Sequence, residues 1–193
     1  MGTKISDLTA LTGANSATDD IFPIVDVSAG TAGTKKITRA ELEVALRNAR
    51  LGSELVTLST ATSLTAATHG FRTMLLTGTG SAIAQTLPAA SGSGLRLRFV
   101  VGAVNTSNHI IKVANASDVL KGQIDILDND ANALTAYAAS GSDDTVTLNG
   151  TTTGGLVGDL IEVQDIATNI WMVTGKLVCP AGSNVADMLS ATV

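Results

Sequence analysis

Ring systems are scarce in this chain: of 193 residues, only Phe22, Phe71, Phe99, Tyr137 and Trp171 are aromatic. A core made without them leans on Ala, Val, Leu and Ile, which supply most of the 45% apolar fraction, while Thr, Ser and Gly fill much of the rest. Such a composition suits thin β-structure with many turns. Cysteine is nearly absent, and the lone Cys179 excludes an internal disulfide or a cysteine-based zinc cluster, so stability must come from packing or from assembly. Positive charge is sparse and dispersed. Twelve Lys and Arg against seventeen Asp and Glu leave a net charge of −5, and the tightest basic grouping is Arg39, Arg47 and Arg50. A phosphate-tracking surface needs a basic face that releases counterions, so nucleic acid is not expected as a partner. Long apolar runs are also missing. Nothing approaches the roughly eighteen continuous apolar residues of a membrane span, and no apolar run follows Lys4 and Ile5 as a signal peptide would require. A soluble chain made in the cytoplasm, without a membrane partner, is the expectation.

One helix is signalled clearly, in "ITRAELEVALRNARLG". Thr38 stands as N-cap with Glu41 three residues on, the spacing of a capping box, and Ile37 is placed to staple against Leu42. Leu42, Ala45, Leu46 and Ala49 then recur at helical spacing, and Gly52 occupies the position of a left-handed C-terminal cap. A helix of about twelve residues is marginal alone in water, so its Leu stripe must pack on another surface. That surface is either the chain's own β-structure or further copies of the helix around a symmetry axis. In the second case Ile37, Leu42 and Leu46 form an oligomer interface.

Beyond Gly52 the period changes from helical to alternating. "LRLRFVVG" sets Leu95, Leu97, Phe99 and Val101 on one face and Arg96 and Arg98 on the other. "ELVTLST", "FRTMLLTG", "AIAQTLP", "NHIIKVAN", "DTVTLNG", "DLIEVQDI" and "NIWMVTGKLV" have similar β-rich character and are bounded by turn residues or, after "AIAQTL", by Pro88. Eight or so short strands without alternating helices predict a mainly β fold: an antiparallel sandwich, jelly roll or short barrel, preceded by an extended N-terminal arm and one short helix. No repeat of 20 to 50 residues is clear, which argues against a solenoid or propeller. The expected division is an arm and helix over 1–53 and a β-rich body over 54–193.

Candidate chemistry is thin. "DNDAN" (Asp128, Asp130, Asn132) opens like a calcium loop, but Ala133 and Ala139 stand where the turn glycine and the bidentate glutamate belong. A polar turn is expected there. "TGTGSAIA" resembles a phosphate loop only until Ile83, Gln85 and Leu87 alternate into a strand instead of a helix. His69 and His109 lack metal-motif spacing and are expected at solvated turns or strand ends. The neighbours Asp143 and Asp144 are expected to solubilise a hairpin. Glu162 and Asp165 would serve acid–base work only if they faced each other across a cleft. Cys179 has no nucleophile context, and Trp171 is expected as a core side chain more than as a sugar-stacking platform. No catalytic constellation, metal site or cofactor site is predicted.

The first residues pose a different problem. Ile5, Leu8, Leu11, Ile21, Phe22, Ile24 and Val25 would each contribute about 1.5–3 kcal/mol if buried. Ordering the two dozen backbones around them costs about 1–2 kcal/mol per residue. Burial on a second surface resolves that balance, in the manner of a segment that orders on binding. The motifs I-S-x-L-x-x-L, D-x-x-P-I-V-D and T-K-K-I-T-x-x-E-L within "KISDLTALTGANSATDDIFPIVDVSAGTAGTKKITRAELEVAL" resemble the N-terminal module of tailed-bacteriophage virion structural proteins: tail fibres, head fibres and capsid decoration proteins. The remainder is similar in general pattern to a β-rich domain of phage structural proteins. The resemblance implies a virion-attachment element followed by an outward-facing body, usually a homotrimer. Carried across as contacts are Ile5, Leu8, Ile21, Pro23, Ile24, Val25, Ile37, Thr38 and Leu42. With Leu11 and Phe22 from the burial argument, the virion-binding set is Ile5, Leu8, Leu11, Ile21, Phe22, Pro23, Ile24 and Val25. With no shaft repeats visible, the expected function is a capsid decoration or cement protein on the virion surface, its partner the major capsid protein or another virion protein. The alternative is a short tail fibre or glycan-binding adhesin using Trp171 or Tyr137. A glycan hydrolase is the third reading.

Overall fold

The computed structural model describes residues 21–26, 33–42 and 55–193. The chain divides into two compact units, Met1–Ser53 and Glu54–Val193.

In the first unit, β1 (Ile21–Asp26) pairs antiparallel with β2 (Gly33–Thr38), in register from Ile21 opposite Thr38 to Asp26 opposite Gly33. The extended arm therefore contains a hairpin. Pro23 lacks a backbone donor, which a strand can tolerate where one of its sides is unpaired. Residues 39–42 are helical directly after β2. The Glu41 amide donates to Thr38 Oγ1 at 3.2 Å, while Glu41 Oε2 accepts from the Thr38 amide and hydroxyl, both at 2.8 Å. This reciprocal arrangement is the capping box expected from the sequence.

The second unit holds two sheets. The seven-stranded sheet has the order β10-β9-β13-β12-β7-β5-β3 and the five-stranded sheet the order β14-β11-β8-β6-β4. Their strands are β3 (Leu55–Leu58), β4 (Thr62–Ser63), β5 (Thr73–Leu76), β6 (Ile83–Thr86), β7 (Arg96–Val101), β8 (His109–Lys112), β9 (Val119–Asp128), β10 (Ala133–Ala138), β11 (Thr145–Leu148), β12 (Leu160–Ala167), β13 (Ile170–Cys179) and β14 (Leu189–Ser190). One helical turn, α1 (Ala66–His69), lies between β4 and β5.

Topology explains why the sheets are mixed and not purely antiparallel. From β3 to β8 the chain alternates between the two sheets, so that β3, β5 and β7 run parallel in one and β4, β6 and β8 run parallel in the other. Parallel neighbours need a crossover connection, and here one strand in the opposite sheet supplies each of them. The first half of this unit is thus a short coil of two-strand turns. Later pairings are of both kinds: β12 pairs antiparallel with both β7 and β13, and β10 with β9, whereas β13 pairs parallel with β9 from Val119 to Asp128.

Between the sheets lies one apolar core. Phe99, Leu97, Met74, Leu76, Ile161 and Trp171 come from the seven-stranded sheet, and Ile111, Val146 and Leu148 from the five-stranded one, all essentially inaccessible. The alternation in β7 is as expected, with Leu97, Phe99 and Val101 buried and Arg96 and Arg98 exposed. Gly122 interrupts the inward series of β9 at φ +132°, where a Cβ would run into the Val173 carbonyl of β13. Only glycine permits that backbone beside a paired strand.

Candidate functional site

The face of the seven-stranded sheet turned away from the core carries charged, polar and apolar side chains together. Period-2 alternation places Arg96 and Arg98 of β7 beside Gln164 and Glu162 of β12, and those beside Met172 and Thr174 of β13. Arg98 Nε lies 3.5 Å from Glu162 Oε1, with both side chains about half exposed, and Arg96 Nε donates to Gln164 Oε1 at 3.1 Å. A groove of about 350 Å³ runs over these residues and is bounded by Phe71, Arg72 and Thr73. A smaller hollow of about 190 Å³, lined by Gln123, Asp125 and Lys176 among others, shares Glu162 and Thr174 with it.

Phe71 is unusual. It follows α1 and Gly70, its φ is +58°, and the residue is 64% exposed. A bulky residue in left-handed backbone is strained, and such strain persists only where the surroundings impose it. Here the Phe71 amide donates to the Arg96 carbonyl at 2.8 Å, and the Arg72 carbonyl accepts from the Arg98 amide at 3.4 Å. The turn is therefore tied to β7. Behind it, Thr65 caps α1 by accepting from the Thr68 amide, and His69 Nδ1 accepts from the Thr65 amide at 3.0 Å. The Arg72 guanidinium makes no hydrogen bond or ion pair among the described residues.

The acids weighed as catalytic candidates are arranged otherwise. Glu162 faces the groove, whereas Asp165 points to the opposite side of β12 and is 1% exposed. The Asp165 carboxylate accepts from the amides of Ser91, Gly92 and Ser93 at 2.7–3.1 Å and from the hydroxyls of Ser91 and Ser93. Burial alone would raise its pKa, but these donors, led by Ser93, outweigh that and hold it at about 2. Asp144, expected at a solvated turn beside Asp143, is instead buried at 5% exposure and accepts from the Thr192 and Val193 amides and the Thr145 hydroxyl. Its carboxyl too is lowered, because these donors and the Lys112 charge overcome the opposing effect of burial. Asp159 accepts from the amides of Gly155, Leu156 and Val178, yet burial dominates and raises its pKa. Each of the three carboxylates ties a loop or chain segment down from within.

The remaining candidates fall as follows. Asp128 accepts from the Asp130 and Ala131 amides and Asp130 from the Gly182 amide, so "DNDAN" is a self-bonded polar turn. Among the described residues no three His, Cys, Asp or Glu side chains converge as a metal site would require. His69 and His109 are both buried, a correction to their expected solvation: the first caps α1, and the second places Nε2 at 2.9 Å from the Ala103 carbonyl. Cys179 is buried, its thiol donates to the Ser183 carbonyl, and its pKa is raised by burial and by Asp128 and Asp130. Trp171 is fully buried, so it offers no ring face as a sugar platform, while Tyr137 is partly buried against the core.

Of the expected contact residues, Ile21, Phe22, Pro23, Ile24 and Val25 form β1. Ile37 is half-buried at the end of β2 and Leu42 is 37% exposed. Ile5, Leu8, Leu11 and Leu46 lie outside the described residues. The sequence marked Arg96 and Arg98 as outward-facing but gave no sign of Phe71 and Arg72 at the groove. Comparison with family models, with curated proteins and with solved structures finds no match to this chain.

Proposed function

We propose that this protein is a tailed-phage virion structural protein, a decoration or cement protein that binds the capsid exterior as a homotrimer. The supporting observation is local. D-x-x-P-I-V-D and T-K-K-I-T-x-x-E-L, two motifs separated in sequence, pair residue for residue as β1 and β2, and Glu41 of the second closes the cap on the helix that follows. The motif residues thus act together as one structural unit, as an attachment module requires. In this reading β1 supplies Ile21, Phe22, Pro23, Ile24 and Val25 to a capsid subunit, and Leu42, exposed at the start of the helix, supplies the trimer contact with Ile37 and Leu46. Adding buried interface across subunit boundaries strengthens the shell against packaged DNA, and the order of the arm becomes linked to the particle by mass action.

Three measurements test this, two on the full chain and one on its second unit. Sedimentation should give a trimer, and electron microscopy of the particle should place density for the protein on the head. Residues 54–193 expressed alone should leave the particle surface bare. A monomer that neither assembles nor binds particles would overturn the proposal. Density on the tail would overturn the decoration role in favour of a fibre.

A further inference from the structure

We infer that the groove bounded by Phe71 and Arg72 is a binding site for an acidic saccharide. One sugar would lie against the Phe71 ring, with its carboxylate on Arg72. This goes beyond the structural role proposed above and does not depend on which particle surface carries the protein.

Several observations converge on one ligand chemistry. The groove holds three arginines, Arg72, Arg96 and Arg98, against the single carboxylate of Glu162, in a chain whose net charge is −5. Two of these arginines are engaged, Arg98 by Glu162 and Arg96 by Gln164. The planar donor fork of Arg72 is not, and such a fork matches a carboxylate bidentately. Beside it the fold maintains a left-handed backbone at Phe71, an aromatic residue that is mostly exposed. An apolar ring face next to fixed polar groups is how a small-molecule cleft orients an amphipathic ligand. Gln164, Glu162 and Thr174 line the floor as hydrogen-bonding partners for hydroxyls. The hollow that shares Glu162 and Thr174 continues past Lys176, Gln123 and Asp125, leaving room for a second sugar held through its hydroxyls.

An acidic peptide suits this surface less well. An extended peptide gains most by pairing its backbone with a sheet edge, whereas β7, β12 and β13 are each hydrogen-bonded to strands on both sides. Recognition here must come from side chains, and a polyhydroxylated ligand meets that condition. Three arginines and one glutamate are also too few for a phosphate-tracking track.

The test is calorimetric titration of the full-length protein with trigalacturonate and with sialyllactose, two separate sources of a sugar carboxylate. Methyl-esterified trigalacturonate serves as the neutral control and tetraglutamate as the peptide control. At least one acidic sugar should bind, at least tenfold more tightly than either control. Phe71→Gly, which removes the ring and relaxes the left-handed backbone, and Arg72→Gln should each weaken binding at least tenfold without lowering the melting temperature. No binding by either acidic sugar would overturn the inference, as would affinity unchanged in both variants. Tetraglutamate binding as tightly as the sugars would overturn it in favour of a peptide site.

Discussion

The two faces of the seven-stranded sheet are drawn from the same strands by alternate residues and meet opposite demands. On the inner face, Leu97, Phe99, Ile161, Val163, Trp171 and Val173 are all at or below 2% exposure, and stability there follows from area removed from water and from close packing. On the outer face their neighbours Arg96, Arg98, Glu162, Gln164 and Thr174 stay wet and pair loosely. Even charge is treated differently. Glu162 and Asp165 are three residues apart on β12, yet the first is a half-exposed groove residue and the second a buried anchor for the 91–93 loop. What a side chain contributes here depends more on which face it takes than on its residue type.

Substitutions that swap those demands should separate widely. Phe99→Ala, on the inner face, should lower unfolding free energy by about 3–5 kcal/mol, read by urea titration with Trp171 fluorescence as the probe. A loss under about 1 kcal/mol would mean that the inner face is not the packed side.

Next in size is Asp165→Ala, which leaves the amides of Ser91, Gly92 and Ser93 without their buried acceptor and should cost roughly 3 kcal/mol. The same carboxylate sets a pH dependence. Its folded pKa of about 2 lies below its ordinary value of 3.8, so its contribution is fully present above that ordinary value and is lost as pH falls towards the folded one. The loss should approach roughly 2 kcal/mol. Asp144 acts in the same direction, whereas the raised pKa of Asp159 opposes it. Urea midpoints measured from pH 5 to pH 2 should fall for the natural chain, and Asp165→Asn should flatten most of that slope. An unchanged slope would remove Asp165 as its source.

The smallest effect belongs to the outer face. Its Arg98–Glu162 pair spans 3.5 Å between side chains that are 52% and 53% exposed. A double-mutant cycle on stability should give a coupling of about 0.5 kcal/mol or less. A coupling several times larger would show that this face is less solvated than its exposure implies.

Much of the architecture is legible in the sequence, because alternation is a local signal. The segments that form β3, β5, β6, β7, β8, β11, β12 and β13 all announce themselves as strands, and so does the capping box at Thr38 and Glu41. The ten-residue β9 is less visible, since Gly122 interrupts its alternation and Asp125 and Asp128 give it a loop-like composition. β4 and β14 are two residues each and exist by virtue of their neighbours. The coil from β3 to β8 is hidden because its turns differ in length: β3, β5 and β7 begin at Leu55, Thr73 and Arg96. The groove was half legible. Alternation placed Arg96, Arg98 and Glu162 on strand segments, but the approach of Phe71 depends on a left-handed backbone that no residue type there advertises. Likewise, period 2 along "LIEVQD" separates Glu162 from Asp165, while the partner of Asp165 lies more than seventy residues away.

The alternation between sheets from β3 to β8 has a kinetic corollary. Every turn of that coil depends on pairings between segments distant along the chain, whereas β12 and β13 are joined by a tight turn with Asn169 in left-handed backbone. Loop-closure entropy delays the former and spares the latter. Refolding should therefore begin at the β12–β13 hairpin and end with docking of β3, and pulse-labelled amide exchange would detect the reverse order as early protection of Val56 and Leu58.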